Sequence, residues 1–266
     1  MGILFQSDDV CRVEKAVVAH AWSLWPGPDA VPRRLYASLA QLQEGRVVAP
    51  SDSRASVSSL LRAPRVPIVP VGTVEFCRAW MRATGVQEPE PLDYPLALRA
   101  ALGRPVERLR DYSLAPDGAW IKPVRTKAWS AHRKGQKALA DAEEFQPHGE
   151  VWTSPNLALQ AEWRVYVLEG RVVGQGRYDD GPDHLDSLAS QATSWAQQLA
   201  HIWSSSAKTP AAYALDVAFT QDAHWALVEV TDAWAIGYYR GSCRAQDYLR
   251  MLMARWQELA QSACVG

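Results

Sequence analysis

Two neighbouring strand-like runs in the last quarter of the chain each contain one carboxylate among apolar residues. The first run, residues 213–217, contains Asp216, and the second, residues 225–234, contains Glu229. A carboxylate in a buried strand is costly unless a cation meets it. Because hard divalent cations prefer carboxylate oxygens, two such acids on adjacent strands indicate a metal site. The pair therefore favours a sheet that buries one face and presents a polar site on the other.

The register of this hairpin decides whether the two acids meet. A four-residue loop over residues 220–223 pairs Asp216 with Leu227 and places Glu229 diagonal to Asp216 on the same face, with Thr231 following it. Diagonal neighbours lie roughly 7–8 Å apart, which is close enough for metal-bridging side chains to converge. A slip of one residue would split them between the faces. The alternative, two ordinary exposed acids, is disfavoured by their apolar neighbours.

A second hairpin upstream carries arginines. With Glu169 and Gly170 as a two-residue turn, Arg164 pairs with Gln175, and Arg177 pairs with the residue two before Arg164. One face then carries the polar and basic side chains Glu162, Arg164, Tyr166, Gln175 and Arg177. The other face, with Trp163 and the valines, packs on a core. Two guanidinium groups suit phosphate or carboxylate, although a solvated face with an Arg–Glu pair remains open.

Lys122 lies in a predicted strand over residues 119–124, and Arg125 and Lys127 follow it closely. Lysine is rarely buried without a partner, and a phosphate would serve as one. The alternative is a surface lysine whose ammonium reaches solvent. The sequence contains no Gly-rich phosphate loop of the Walker or dinucleotide-binding type, and neither H-E-x-x-H nor G-x-S-x-G occurs.

Composition excludes several classes of function. The 266 residues are 48% hydrophobic and 21% charged with a net charge of -1, so no basic stripe predicts binding to nucleic acid. No apolar stretch approaches a membrane span, and the apolar start of the chain is too short for a signal peptide. Four scattered cysteines without metal-ligand spacing are typical of reduced thiols, so we expect a cytoplasmic protein.

The pattern of elements changes along the chain. Alternating strands and helices predict an N-terminal α/β lobe over residues 1–95, which a Pro-rich stretch ends. We expect a central lobe over residues 96–155 and a C-terminal lobe over residues 156–266. The elements predicted are strands over residues 2–5, 46–49, 66–71, 119–124 and 150–153, helices over 13–25, 72–84, 186–206 and 244–262, and a loop running into a short helix over 130–144.

The ordered set of motifs resembles the ATP-grasp superfamily in its compact bacterial and phage members. The resemblance covers about residues 115–240, and residues 72–76 are similar to an N-terminal segment of the same group. It rests on the Ile-Lys-Pro-Val strand at 121–124, the acid-x-Arg strand at 162–170, and the acidic strands at 212–216 and 227–232. Residues 233–237 also match the segment that comes after those strands in the family.

The resemblance implies an α+β ATP-grasp fold in which two α+β lobes clamp ATP behind an N-terminal α/β lobe. It also implies ATP-dependent joining of a carboxylate to an amine through an acylphosphate, with release of ADP and phosphate. Both substrates would be small molecules or peptides. The sequence does not predict the oligomeric state.

Individual roles follow from the same resemblance. Lys122 would hold the ATP phosphates, with Lys127 as a second lysine, and Arg164 would steady the transferred phosphate, with Arg177 as a further candidate beside it. Asp216 and Glu229 would hold Mg²⁺ together with Thr231. The adenine would meet the backbone of four consecutive residues, Ser154, Pro155, Asn156 and Leu157.

One position departs from the family. Family members commonly have Asn two residues after the metal-binding glutamate, where this chain has Thr231. A hydroxyl is a weaker metal ligand than an amide carbonyl, and the adjacent Asp232 points to the opposite face if the strand continues. This leaves two alternatives open: a nucleotide-binding or interaction module with altered catalysis, and an ATP-dependent phosphotransferase on the same fold.

Overall fold

The computed structural model describes residues 2–25, 33–48, 54–56, 68–135, 148–239 and 241–262. The strands, in chain order, are β1 (Gly2–Gln6), β2 (Arg33–Ala37), β3 (Arg46–Val48), β4 (Arg54–Ser56), β5 (Ile68–Val71), β6 (Glu107–Leu109), β7 (Trp120–Pro123), β8 (His132–Arg133), β9 (Val151–Ser154), β10 (Leu159–Leu168), β11 (Arg171–Arg177), β12 (Ala212–Thr220) and β13 (Trp225–Asp232). The helices are α1 (Arg12–Ser23), α2 (Leu39–Gln43), α3 (Val74–Thr84), α4 (Ala189–Ser206) and α5 (Ala245–Ser262). Short 3-10 turns cover Leu96–Leu102, Tyr112–Leu114, Asp183–Leu188 and Ala233–Ala235.

The strands form three sheets, which confirms the predicted α+β class. The first sheet has the order β4-β3-β2-β1-β5, and its central strand β1 is parallel to both β2 and β5. Every residue of β1 is buried, as expected for a parallel strand that is covered on both faces. The second sheet has the order β6-β9-β7-β8 and the third β11-β10-β12-β13, and the pairs within both are antiparallel.

Local chemistry sets the helix ends within a few residues of the predictions. The helix predicted from residue 72 begins at Val74, because the Thr73 hydroxyl accepts the Phe76 amide at 3.2 Å and caps it. It ends at Gly85, which adopts a left-handed φ of 72°. The start of the predicted 186–206 helix is instead a 3-10 turn.

The third sheet buries both of its faces, but against different partners. Trp163 and Val165 of β10 pack with Leu215 of β12 and with α4 in one core. On the opposite face, Tyr166 and Ala214 join the core of the first sheet and α5. The polar residues of interest lie on this second face, so they point towards the N-terminal part of the molecule.

Both hairpins of the third sheet contain a β-bulge, which corrects the predicted registers. In β11 the extra residue is Val173, so Arg164 pairs with Gly176 and Arg177 pairs with Trp163. Hairpin counting from the turn assumes a regular ladder, and one extra residue moves every later partner by one. The bulge lies where β11 approaches another segment: a Cβ atom on Gly174 would come within 2.4 Å of the Ser242 carbonyl oxygen.

In the second hairpin the extra residue is Val228. Val217 pairs with Leu227, and Asp216 pairs directly with Glu229. The regular ladder that was predicted would have placed Leu227 on the same face as Glu229. The bulge instead lets Leu227 and Val230 both join the core against α4, while Glu229 between them faces the other way.

Each sheet lies within one of the predicted lobes, and the lobe boundaries stay a prediction. The segment after residue 90 nevertheless packs on the third sheet, since Leu98, Leu102 and Val106 belong to the same core as Trp163. The amide of Val230 in β13 also donates to the carbonyl oxygen of Asp93 at 2.8 Å. The Pro-rich linker predicted from the sequence is therefore a docked segment.

Some predictions meet the limits of the described residues. The loop and helix predicted over residues 130–144 lie outside them beyond residue 135, and His132 and Arg133 within that loop form β8. Cys11, Cys77 and Cys243 are free thiols, and Cys264 lies outside. Within the part of the chain that the structure describes, no helix is both long and apolar enough to cross a membrane.

Candidate functional site

Three candidate residues form one row across the third sheet. Arg164 on β10 is the register partner of Asp216 on β12, and Asp216 is the partner of Glu229 on β13. Side chains of directly paired residues lie on the same face, with Cβ atoms ~5 Å apart. The acids are thus closer than the diagonal placement that the sequence predicts.

Arg164 and Asp216 form a bidentate ion pair. The Nε atom donates to Oδ1 at 2.8 Å, and Nη2 donates to Oδ2 at 2.5 Å. The side chain of Asp216 is only 1% exposed. Burial raises the pKa of Asp216 and the guanidinium opposes that rise, so the carboxylate stays ionised as half of the pair.

Lys122 enters the same site from β7 of the second sheet. Its Nζ atom contacts the carboxylate of Glu229 and lies 2.5 Å from Oδ1 of Asp93. The ammonium also lies 5.6 Å from the centre of the Tyr94 ring. Burial alone would lower the pKa of Lys122, but the charges of Glu229 and Asp93 raise it overall. Lys122 is therefore a buried cation between two carboxylates.

A cavity of about 540 Å³ opens over this row, within the size range of ligand pockets. Three cations reach it, and with the acids and two tryptophans they make a polar pocket with aromatic walls. The polar, charged and aromatic residues of its wall are Asp93, Lys122, Thr126, Lys127, Trp129, Ser130, Arg164, Glu229, Thr231, Asp232 and Trp234. The structure thus brings Lys122, Lys127, Arg164, Glu229 and Thr231 to one cavity, with Asp216 directly behind Arg164.

Lys127 reaches the cavity from an unusual backbone conformation. Its φ of 51° is left-handed, which a residue with a Cβ atom seldom adopts. The preceding carbonyl, of Thr126, accepts from Nη2 of Arg78 on α3 at 2.8 Å. Arg78 is itself buried in a bidentate pair with Glu88. A contact from the N-terminal part thus fixes the loop that presents Lys127.

Arg177 lies on the opposite face of the third sheet. Its guanidinium stands 5.9 Å from the centre of the Trp163 ring and pairs with Asp179 at 2.7 Å and Asp186 at 2.8 Å. The prediction that Arg177 shares a face with Arg164 is wrong, because the bulge at Val173 shifts Arg177 by one position. Its charge is already neutralised by two carboxylates away from the cavity.

The predicted adenine segment connects the second sheet to the third. The hydroxyl of Ser154, at the end of β9, lies 3.4 Å from Nε of Arg104, and Oδ1 of Asn156 accepts from Arg133 at 3.3 Å. Neither these residues nor Pro155 and Leu157 belong to the wall of the 540 Å³ cavity. Their role towards adenine stays a prediction.

The donor set decides what kind of metal the site suits. Asp232 does not supplement Asp216 and Glu229, because Arg255 holds both of its oxygens at 2.8 and 2.6 Å and the Trp234 amide donates to it as well. Among the residues that the structure describes, no group of three or more His, Cys, Asp or Glu could hold a metal. The two carboxylates fit a magnesium ion that takes its other ligands from phosphate and water.

Sequence reasoning missed several contributors. Asp93 was hidden in the predicted linker, and no sequence signal marks it as the partner of Lys122. Glu162 was recognised only as a face residue: burial raises its pKa to about 7, and the Tyr178 hydroxyl donates to it. Tyr178 stacks on Tyr239 with ring centres 5.0 Å apart, and both rings flank the Arg164 guanidinium at 5.7 and 5.3 Å.

Comparison with known proteins adds a family and a fold. Residues 102–251, just over half of the chain, match the model of an ATP-grasp domain family, family 2 of its clade. A D-alanine–D-alanine ligase from Bacillus anthracis complexed with ATP is similar in structure, with a TM-score of 0.53, 8% identity and 98% of each chain covered. The D-cycloserine synthetase DcsG has a TM-score of 0.51 and 12% identity, covering 97% of this chain and 99% of its own. Identities this low show a shared fold alone. A search of curated proteins finds no match.

Proposed function

The chain belongs to this family of ATP-grasp domains, and from this premise we propose that it is an ATP-dependent ligase. It joins a carboxylate to an amine through an acylphosphate and releases ADP and phosphate. The observation that carries the proposal is the row of Arg164, Asp216 and Glu229 across one sheet, which Lys122 completes from another. Two cations suited to phosphate and two carboxylates suited to magnesium thereby meet at one cavity.

The charges of the site are complementary to those of a magnesium nucleotide. Without a ligand, each carboxylate of the row is neutralised by a neighbouring cation, Asp216 by Arg164 and Glu229 by Lys122. When the complex binds, phosphate oxygens become the partners of the two cations, and the metal becomes the partner of the two acids. The exchange keeps buried charges paired in both states, which avoids the cost of an unpaired ion.

The reaction needs positioning and charge neutralisation more than covalent protein chemistry. An oxygen of the substrate carboxylate attacks the γ-phosphorus in line, the bond to the bridging oxygen breaks, and ADP leaves. The amine then attacks the acyl carbon, phosphate leaves with the bonding electrons, and the nitrogen loses a proton. Lys122 and Arg164 stabilise the charge on the transferred group. Magnesium, when bound, supplies further neutralisation of the phosphate oxygens.

Calorimetric titration with a non-hydrolysable ATP analogue, with and without Mg²⁺, tests the binding half of the proposal. We expect Mg²⁺-dependent binding that is lost in Asp216→Asn. Asp247→Asn is the matched control, because Asp247 is also a buried carboxylate paired with arginines, but outside the cavity. No binding by the unsubstituted protein under either condition would overturn the proposal and leave the interaction module.

Product analysis tests the chemical half. Candidate carboxylates are screened for ADP release, each with and without candidate amines. A ligase makes an amide and needs both substrates, whereas a phosphotransferase releases ADP without any amine. Mg²⁺-dependent binding with no ADP release from any pair would favour a nucleotide-binding module, to which the threonine at position 231 already draws attention.

A further inference from the structure

Asp93 is a buried acid at the junction of two sheets. Its side chain is 10% exposed and lines the cavity. Its backbone forms an isolated bridge with Val230, the residue after Glu229. The φ of Asp93 is 27°, a left-handed value that the docked segment must hold in place. Asp93 is therefore fixed relative to β13, although it lies in another part of the chain.

Two side chains of the second sheet hold the Asp93 carboxylate. Lys122 approaches Oδ1 at 2.5 Å, and Nε1 of Trp152 donates to Oδ2 at 2.8 Å. Lys122 and Trp152 are register partners on β7 and β9, so they reach Asp93 from adjacent points on one face. The carboxylate thus joins the strand that carries Lys122 to the strand that carries Glu229.

The ammonium of Lys122 has three donors and contacts two carboxylates, those of Asp93 and Glu229. A magnesium nucleotide would take Glu229 for the metal. Among the described residues that Lys122 contacts, Asp93 is then the one remaining carboxylate. Without it, the buried ammonium would keep Glu229 as its sole anionic partner and so compete with the metal for that ligand.

We propose that Asp93 is a positioning residue for Lys122, which holds the ammonium at the cavity wall and leaves Glu229 free for the metal. This rests on the proposed function, because it requires that Lys122 binds nucleotide phosphate and that Glu229 binds magnesium. Asp93 itself touches neither the nucleotide nor the metal. Its effect on binding passes through Lys122 alone.

A double-mutant cycle on nucleotide affinity tests this assignment. The unsubstituted protein, Asp93→Asn, Lys122→Met and the double variant are titrated with the non-hydrolysable ATP analogue in Mg²⁺. Asparagine keeps the bond from Trp152 and the backbone bridge but loses the charge. We expect Asp93→Asn to weaken binding about tenfold, which is a typical coupling for contacting charged residues. The double variant should bind no more weakly than Lys122→Met alone, which a general structural defect would not produce.

Three results would overturn the assignment: affinity unchanged in Asp93→Asn, tighter binding in that variant, or losses that multiply in the double variant. They are distinct from a failure of the proposed function, in which the unsubstituted protein itself does not bind. Asp247→Asn again serves as the control and should bind normally. If Asp93→Asn does not fold, Trp152→Phe replaces it, since losing the indole donor loosens the same carboxylate; normal affinity there would equally count against the assignment.

Discussion

Glu229 is the acid on which the residue-level argument depends most, because it faces a cation, a second acid and the cavity at once. We expect Glu229→Gln to lower turnover by about 100-fold or more, a loss typical of removing a charge-stabilising group. The fold should survive, since Lys122 keeps its pairing with Asp93. ADP release and the circular dichroism spectrum measure the two effects. Turnover equal to that of the unsubstituted protein would remove Glu229 from the mechanism.

Thr231 tests the departure from the family pattern. Its side chain lines the cavity two residues beyond Glu229, where an amide carbonyl would be the better magnesium ligand. We expect Thr231→Asn to keep or raise the rate of ADP release. A clear loss of activity in this variant would mean that the metal geometry here has diverged from that of the family.

Glu162 makes stability depend on pH. Burial raises the pKa of this carboxyl from 4.5 to about 7. Between these values the native state keeps a proton that the unfolded state has released, so stability falls as the pH rises through this window. We expect Glu162→Gln to be more stable than the unsubstituted protein above pH 7, by roughly 3 kcal/mol at most, with little difference at pH 4.5. Urea unfolding at both pH values measures this, and equal pH profiles would show that Glu162 stays ionised.

At the scale of elements, the bulge in β13 gives the site its geometry. It lets Leu227 and Val230 both enter the core while Glu229 points into the cavity. The bulge also leaves backbone carbonyls without regular ladder partners. Arg104 supplies the donors: Nη1 reaches the carbonyl oxygen of Leu227 at 3.1 Å and Nη2 that of Val228 at 3.0 Å. A side chain from the docked segment thus completes the hydrogen bonding of a strand in the third sheet.

We therefore expect Arg104→Leu to reduce the free energy of unfolding by roughly 2–4 kcal/mol, the cost of leaving two part-buried carbonyls unpaired. Arg108→Leu is the matched control, because the Arg108 guanidinium is 45% exposed and pairs with an exposed glutamate; such pairs contribute about 1 kcal/mol or less. Chemical denaturation of both variants gives the comparison. Equal losses would mean that the bulge does not need Arg104.

At the scale of the whole molecule, the site exists only where separate parts of the chain meet. Lys122 comes from the second sheet, Arg164, Asp216 and Glu229 from the third, and Asp93 from the segment between the N-terminal part and the second sheet. On α3, Arg78 fixes the loop of Lys127. A ligand that bridges these parts should stabilise them together.

We expect the ATP analogue with Mg²⁺ to raise the thermal unfolding temperature by about 5–10 °C at 100 times its dissociation constant. Mg²⁺ alone should have no effect, because both candidate ligands are already paired with cations. Differential scanning calorimetry measures both conditions. A stabilisation by Mg²⁺ alone would contradict the exchange of partners that we propose.

The sequence by itself determined the polar residues and the elements that carry them. Strand alternation and apolar neighbours marked Arg164, Asp216 and Glu229 as members of one sheet, and the resemblance added Lys122 and the α+β fold. Helix ends followed from local chemistry, such as the Thr73 cap. These features depend on contacts within a few residues, which periodicity and capping record directly.

Only the tertiary structure decided the registers and the partners. The bulges at Val173 and Val228 depend on packing on opposite faces of the sheet and on the close approach of Ser242, and no local pattern encodes either. Asp93 meets Lys122 because the segment after residue 90 docks on β13, and Arg177 leaves the site because one inserted residue turns it to the other face. Contacts between residues distant in the chain depend on how whole elements pack, so a single sequence leaves them open.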